Sequence, residues 1–81
     1  MNKFQLQILS AEKSIYNNQV EFVKLPGWNG EIGVLANHAP LVVILKEGQI
    51  EIKDGSQVQK FPVKKGIFQF LDNRATCLVI E

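Results

Sequence analysis

Two side chains that are able to exchange protons or form ion pairs lie within one unusual stretch of the chain. Residues 26–41 read Pro-Gly-Trp-Asn-Gly-Glu-Ile-Gly-Val-Leu-Ala-Asn-His-Ala-Pro-Leu and contain Glu31 and the single histidine, His38. Glycines at every third position between two prolines predict backbone that turns sharply or passes close to another segment. Binding residues are often found on such constrained loops, so Glu31 and His38 are the first candidates for a functional role.

Each candidate also has a structural interpretation, and the two interpretations stay open. His38 could be a corner residue whose ring hydrogen-bonds the backbone of its own loop, and Glu31 an ordinary exposed carboxylate. One histidine gives weak support to a nucleophile–base pair, and one histidine with one cysteine does not make a four-ligand zinc site. The glycines lack the order and the following helix of a phosphate-binding loop. The residues alone favour a small interaction module without catalytic, metal or cofactor sites.

Composition narrows the class of protein. The chain has 81 residues, 46% of them hydrophobic, and a formal net charge of +1. These values predict one small globular domain spanning residues 1–81. A net charge of +1 produces no electrostatic field strong enough to favour binding to nucleic acid. The amino terminus lacks the apolar core of a signal peptide, and no run approaches the roughly 20 apolar residues that cross a bilayer, so no direct membrane insertion is expected. Cys77, the only cysteine, is predicted to be an inert packed thiol.

Nearly all of the chain has the pattern of short β-strands. Apolar residues alternate with polar ones or cluster as β-branched and aromatic runs, and no helical period is sustained. Asp54-Gly55 predicts a hairpin, Asn17-Asn18 predicts a turn, and Pro62 indicates an edge strand or a bulge. The strands are predicted at residues 4–8, 13–16, 20–25, 31–35, 41–45, 48–53, 57–64, 67–71 and 74–80. The expected fold is all-β, a small β-sandwich or flattened barrel of about ten short, mostly antiparallel strands.

Two predicted strands are more apolar than expected for a sheet that has one face in the core and the other exposed to solvent. Residues 41–45 and 77–80 are apolar at almost every position. One explanation is a sheet edge that folds over, or a barrel closure that buries both faces. The other is an outer face that a protein partner covers, because contiguous exposed apolar surface usually marks an interface. Which of Val42 and Val43 points outward is left open by the pattern.

The glycine-containing stretch resembles the most recognisable segment of the epsilon subunit of F-type ATP synthases. The likeness extends to residues 6–16, 45–48 and 65–68, and it covers nearly the whole chain. Ala36 and Glu47 stand where many family members carry proline, and Lys65 where a second glycine is usual; all three are loop variations. The matching residues of the main segment are Pro26, Gly27, Gly30, Glu31, Gly33, Val34, Leu35, Asn37, His38, Ala39, Pro40 and Leu41.

The resemblance implies a non-catalytic rotor subunit of a proton-translocating ATP synthase, which links the gamma subunit to the c-ring and couples rotation to ATP synthesis. The implied c-ring contacts are Gly30, Glu31, Asn37 and His38, grouped at one end of the sandwich. The implied gamma contacts are Ser10, Val42 and Val43. The location implied is peripheral, on the cytoplasmic face of an energy-transducing membrane, or on the matrix or stroma side in an organelle.

In the family, a hairpin of two helices follows the β-sandwich. This chain ends at Glu81, where the sandwich is expected to end, so the resemblance implies that the hairpin is missing and that ATP binding is not expected. The alternative function, from another class, is a free-standing β-sandwich adaptor or a small-ligand binding module. A pocket with converging polar groups would favour that alternative, and a flat apolar face beside a polar glycine-containing end would favour the rotor subunit.

Overall fold

The computed structural model describes residues 2–81 and forms nine β-strands, which confirms the all-β prediction at close to the expected number of strands. Every strand matches a segment predicted from the sequence. The bounds are β1 Phe4–Leu9, β2 Ser14–Val20, β3 Phe22–Gly27, β4 Gly30–Leu35, β5 Leu41–Leu45, β6 Gly48–Asp54, β7 Gln57–Val63, β8 Lys65–Leu71 and β9 Arg74–Ile80.

The strands form one curled sheet in the order β2-β1-β9-β8-β5-β3-β6-β7, with β4 beside β3. Neighbouring strands are antiparallel except β1 and β9, which are parallel. Between β5 and β3 the pairing is reduced to Gly27 opposite Leu45. The two ends of the sheet come together, since the ring centroids of Tyr16 in β2 and Phe61 in β7 lie 5.4 Å apart. The result is a half-barrel with the character of a sandwich.

Side chains from every strand point into one core. The rings of Phe4 and Phe70 meet edge to face with centroids 5.4 Å apart. Each fully buried aliphatic or aromatic side chain of this kind contributes roughly 1.5–3 kcal/mol relative to an exposed one. Cys77 is fully buried, and burial raises the pKa of its thiol to about 12, which confirms the predicted packed thiol. The remaining core residues are Leu6, Ile8, Val20, Val23, Leu25, Val34, Val43, Leu45, Ile50, Ile52, Val63, Phe68, Ala75 and Val79.

Two predictions about strand ends are confirmed. Gly55 has a φ of 65° in the turn between β6 and β7, and its N–H donates to the Glu21 carboxylate over 2.6 Å. This is the hairpin expected at Asp54-Gly55. Pro62 lies in β7, which is the last strand of the sheet order, so it occupies an edge strand as predicted.

The predicted turn at Asn17-Asn18 is wrong. Both residues lie within β2, opposite Gln7 and Leu6 of β1. β2 is an edge strand with a solvated side, where polar side chains are tolerated, and Asn17 Oδ1 accepts a hydrogen bond from Gln5 Nε2 over 2.6 Å. The chain turns earlier, at residues 10–13.

Candidate partner-binding surfaces

A row of apolar side chains lies exposed on the outer side of three adjacent strands, β5, β8 and β9. Ile44 lies opposite Ile67, and Ile67 lies opposite Leu78; all three are about half exposed. Val42 in β5 and Ile80 in β9 extend the row. The term apolar face is used below for the five residues Val42, Ile44, Ile67, Leu78 and Ile80. The three strands are inside the sheet order and their outer side chains are exposed. The explanation by a folded-over edge or a barrel closure that buries both faces is therefore wrong.

The structure decides which of the two neighbouring valines of β5 faces outward. The side chain of Val42 is on the outer side with an exposed fraction of 63%, whereas Val43 is 6% exposed and belongs to the core. Successive side chains of a strand point to opposite faces, so the two cannot share a role. Val43 is therefore removed from the candidate contacts, and Val42 remains.

Ser10, the other residue implied as a gamma contact, borders the apolar face. It lies in the loop between β1 and β2, on the rim of a groove of about 510 Å³ that Ile44, Ile67 and Leu78 also line. Its hydroxyl accepts hydrogen bonds from the N–H groups of residues 12 and 13, each at 3.3 Å, and so fixes the loop. The structure thus brings Ser10 and Val42 to one continuous surface, since both border grooves that share Ile44.

The turn between β3 and β4 adds a residue that the sequence analysis did not single out as functional. Trp28 is 69% exposed at this turn. It forms one wall of a groove of about 580 Å³, whose other walls include Ile32, Val42 and Ile44. The signal available in the sequence was the chain's single tryptophan inside a turn of glycine and asparagine, where a large apolar side chain has little chance of burial.

Gly30 and Glu31 lie at this same end of β4 and present a polar surface. Glu31 is opposite Pro26 of β3, and its carboxylate lies 3.8 Å from the ammonium group of Lys24. The Glu31 side chain is 70% exposed. An exposed ion pair of this kind contributes about 0–1 kcal/mol, so Glu31 is not needed to hold the fold.

Asn37 and His38 lie beyond the other end of β4. The Asn37 N–H donates to Asn73 Oδ1 over 2.7 Å. His38 Nδ1 lies 2.8 Å from the carbonyl oxygen of Ala39, and its ring meets the buried ring of Phe70 edge to face at 6.1 Å. This is the structural arrangement considered for His38, a ring bonded to the backbone of its own loop.

Glu31 and His38 are thus separated along β4 rather than grouped. The strand advances about 3.3 Å per residue, so residues 31–35 alone span about 13 Å. β4 therefore separates Gly30 and Glu31 from Asn37 and His38 along the strand. The contact of these four residues with a c-ring stays a prediction.

Two kinds of feature are absent from residues 2–81. Within that range, no group of three His, Cys, Asp or Glu side chains is close enough to hold a metal ion. The same range contains no helix with the length and apolar character needed to cross a membrane.

The fold and these surfaces define a class, a small all-β module with an exposed apolar sheet face and a polar hairpin end. Residues 3–81 match the family model described as the ATP synthase, Delta/Epsilon chain, beta-sandwich domain. The chain therefore belongs to the ATP synthase delta/epsilon β-sandwich family, as the sequence resemblance indicated.

Curated relatives agree with this assignment. The ATP synthase epsilon chain of Desulfitobacterium hafniense (strain DSM 10664 / DCB-2) is 40% identical over 75 residues, which cover 93% of this chain and 57% of the relative. The epsilon chain of Caulobacter vibrioides is 36% identical over 66 residues, which cover 82% of this chain and 77% of the relative. The chain spans little more than half the length of the Desulfitobacterium relative.

Solved structures show the same fold. A chain of the Euglena gracilis mitochondrial ATP synthase, in a structure of OSCP, F1 and the c-ring, matches 98% of this chain and 51% of its own length, with a TM-score of 0.91 and 22% identity. A chain of the central stalk and c-ring of the Tetrahymena thermophila mitochondrial ATP synthase matches 99% of this chain and 65% of its own length, with a TM-score of 0.82 and 15% identity.

Proposed function

We propose that this chain is the β-sandwich part of a central-stalk rotor subunit of a proton-translocating ATP synthase. It connects the gamma subunit to the c-ring and couples rotation to ATP synthesis, without a catalytic step of its own. It is peripheral to the energy-transducing membrane, on its cytoplasmic, matrix or stroma side, and is held there through its partners. Support comes from the family match over residues 3–81 and from relatives named ATP synthase epsilon chain.

The observation that carries the proposal is the apolar face. Its five side chains lie on interior strands of the sheet, where their exposure to water is unfavourable unless a partner covers them. We assign this face, with Ser10 at its rim, to the gamma subunit. A flat apolar sheet surface with a polar rim is typical of the core of a stable protein–protein interface.

The polar end of the β3–β4 hairpin is assigned to the c-ring. Gly30 and Glu31 are exposed there beside Lys24, so contacts at this end would rest on charge and hydrogen bonds rather than on buried apolar area. Asn37 and His38 lie beyond the opposite end of β4, which argues against a c-ring surface that includes both pairs.

A pair of aspartate substitutions in β5 tests the assignment to gamma. Val42→Asp places a charge on the apolar face, and we expect its dissociation constant for purified gamma subunit to rise by more than about 30-fold, because an unpaired charge is costly to desolvate. Its thermal midpoint stays close to that of the parent, since residue 42 is exposed in the free chain. Val43→Asp puts the same charge into the core and is expected to unfold the chain.

The matched control is Val58→Asp in β7, a valine that is 52% exposed but lies on a strand outside the apolar face. It should bind gamma as the parent does. If Val42→Asp folds normally and also binds gamma with parental affinity, the apolar face is not the docking surface and the proposal fails.

A further inference from the structure

Trp28 combines high exposure with a fixed backbone. Its N–H donates to the carbonyl oxygen of Ile44 over 2.8 Å, which ties the turn to β5. A neighbouring hydrogen bond, from the Lys46 N–H to the Pro26 carbonyl oxygen over 2.9 Å, also joins the end of β3 to the end of β5. Trp28 therefore stands at a defined place beside the apolar face.

Two glycines make this turn possible. Gly30 has a φ of 127°, a conformation that other residues rarely adopt. A Cβ added at Gly27 would lie 2.6 Å from the Gly30 carbonyl oxygen, so the two backbones approach as closely as they do only because residue 27 is glycine. The turn is consequently narrow, and the indole is its largest feature.

The groove next to the indole is mainly apolar. Ile32, Val42 and Ile44 line it together with Trp28, and Asn29 is the one polar side chain among its lining residues. Aromatic side chains that wall a small apolar groove are typical of binding hot spots, since tryptophan covers a large area while losing little conformational entropy.

We propose that Trp28 and this groove anchor an apolar side chain of the gamma subunit. The inference rests on the proposed function and extends it, because it adds the turn between β3 and β4 to the interface. The argument for gamma as the occupant is continuity: Val42 and Ile44 belong both to the apolar face and to the groove. A polar c-ring loop suits the neighbouring Glu31 side of the hairpin better than this groove.

The single tryptophan gives a direct test. The purified chain is titrated with purified gamma subunit while the emission of Trp28 is recorded, and binding is measured independently by calorimetry. The Trp28→Phe variant under the same conditions supplies the spectrum that gamma itself contributes. We expect the Trp28 emission to move to shorter wavelength on binding, and Trp28→Ala to raise the dissociation constant about tenfold or more. Trp28→Phe, which keeps an aromatic ring, should weaken binding less.

Val58→Ala is the matched control, because it removes another exposed apolar side chain from a strand outside this surface. If the parent binds gamma but the Trp28 emission does not move and Trp28→Ala binds as tightly, this inference is overturned while the proposed function stands. If Trp28→Ala instead weakens binding to purified c-ring, the groove binds the c-ring and not gamma. If the Trp28 emission shifts as the concentration of the chain alone is raised and the chain dimerises, the groove binds a second copy of the chain and not gamma. A parent chain that fails to bind gamma overturns both proposals.

Discussion

Glu31 lies at one end of β4 and His38 lies just beyond the other, and the two ends are built differently. At the Gly30–Glu31 end, the carboxylate of Glu31 forms a long ion pair with Lys24, at 3.8 Å, and its side chain is largely exposed. At the other end, Asn37 and His38 are tied to the protein by hydrogen bonds of 2.7 and 2.8 Å. Both ends are exposed, but short hydrogen bonds fix the chain only at the second.

Asn73 is the centre of the second end. Its side chain accepts from the Asn37 N–H and donates to the Lys3 carbonyl oxygen over 3.0 Å. Its own carbonyl oxygen accepts from the Gln5 N–H over 3.3 Å. One turn residue thereby connects the amino terminus, the β4–β5 loop and the β8–β9 hairpin. The comparison teaches that neighbouring residues of one recognisable motif can differ in how firmly they are bonded to the rest of the chain.

The largest effect on stability among these residues is expected at Asn73. Asn73→Ala removes both side-chain hydrogen bonds and places alanine at a φ of 60°, so the free energy of unfolding should fall by about 1–2 kcal/mol. Asn73→Gly should cost less, since glycine adopts this φ without strain. Denaturant titration of the isolated chain measures both.

Asp72→Gly is the control for this turn, because it changes a neighbouring residue with a φ of 52° and leaves the two Asn73 bonds in place. Its stability should remain close to that of the parent or rise slightly. Equal stability of Asn73→Ala and the parent would contradict the cohesive role given to this end of β4.

Much of this architecture could be predicted from the sequence. Alternation located the strands, and Asp54-Gly55 and Pro62 located a hairpin and an edge, because these signals are local. The separation of Glu31 from His38 was also within reach, since a strand had been predicted at residues 31–35 and an extended strand moves its ends apart.

Other features depended on tertiary structure. Val42 and Val43 are both apolar, so alternation had no polar partner by which to tell the inner face from the outer one. Asn73 forms hydrogen bonds with Asn37 and Lys3, which are 36 and 70 positions away in the sequence. No local sequence pattern indicates such long-range bonds. The Asn17-Asn18 pair has the composition of a turn, but pairing with β1 overrides that preference in an edge strand.

His38 should show a smaller effect than Asn73. His38→Ala removes a ring that bonds the Ala39 carbonyl oxygen and touches Phe70, yet the residue is exposed. We expect a loss of about 0.5–1.5 kcal/mol in the free energy of unfolding and parental binding to the c-ring. Thermal unfolding measures the stability and a c-ring pull-down measures the binding, with Val58→Ala as the reference variant. Normal stability with lost c-ring binding would reverse the assignment of the two ends.

Glu31 should show the smallest effect on folding and a distinct effect on coupling. Its ion pair with Lys24 is exposed and long, so Glu31→Gln and Glu31→Lys should each leave the thermal midpoint of the isolated chain nearly unchanged. In the assembled enzyme, reversal of the charge adds repulsion toward any basic group that Glu31 had attracted, beginning with Lys24. Glu31→Lys should therefore lower proton pumping per ATP hydrolysed in reconstituted vesicles more than Glu31→Gln. The decrease should be partial, because in the proposed assembly the apolar face would hold the chain on gamma independently. Parental coupling by a well-folded Glu31→Lys variant would show that the polar end of the hairpin does not contact the c-ring.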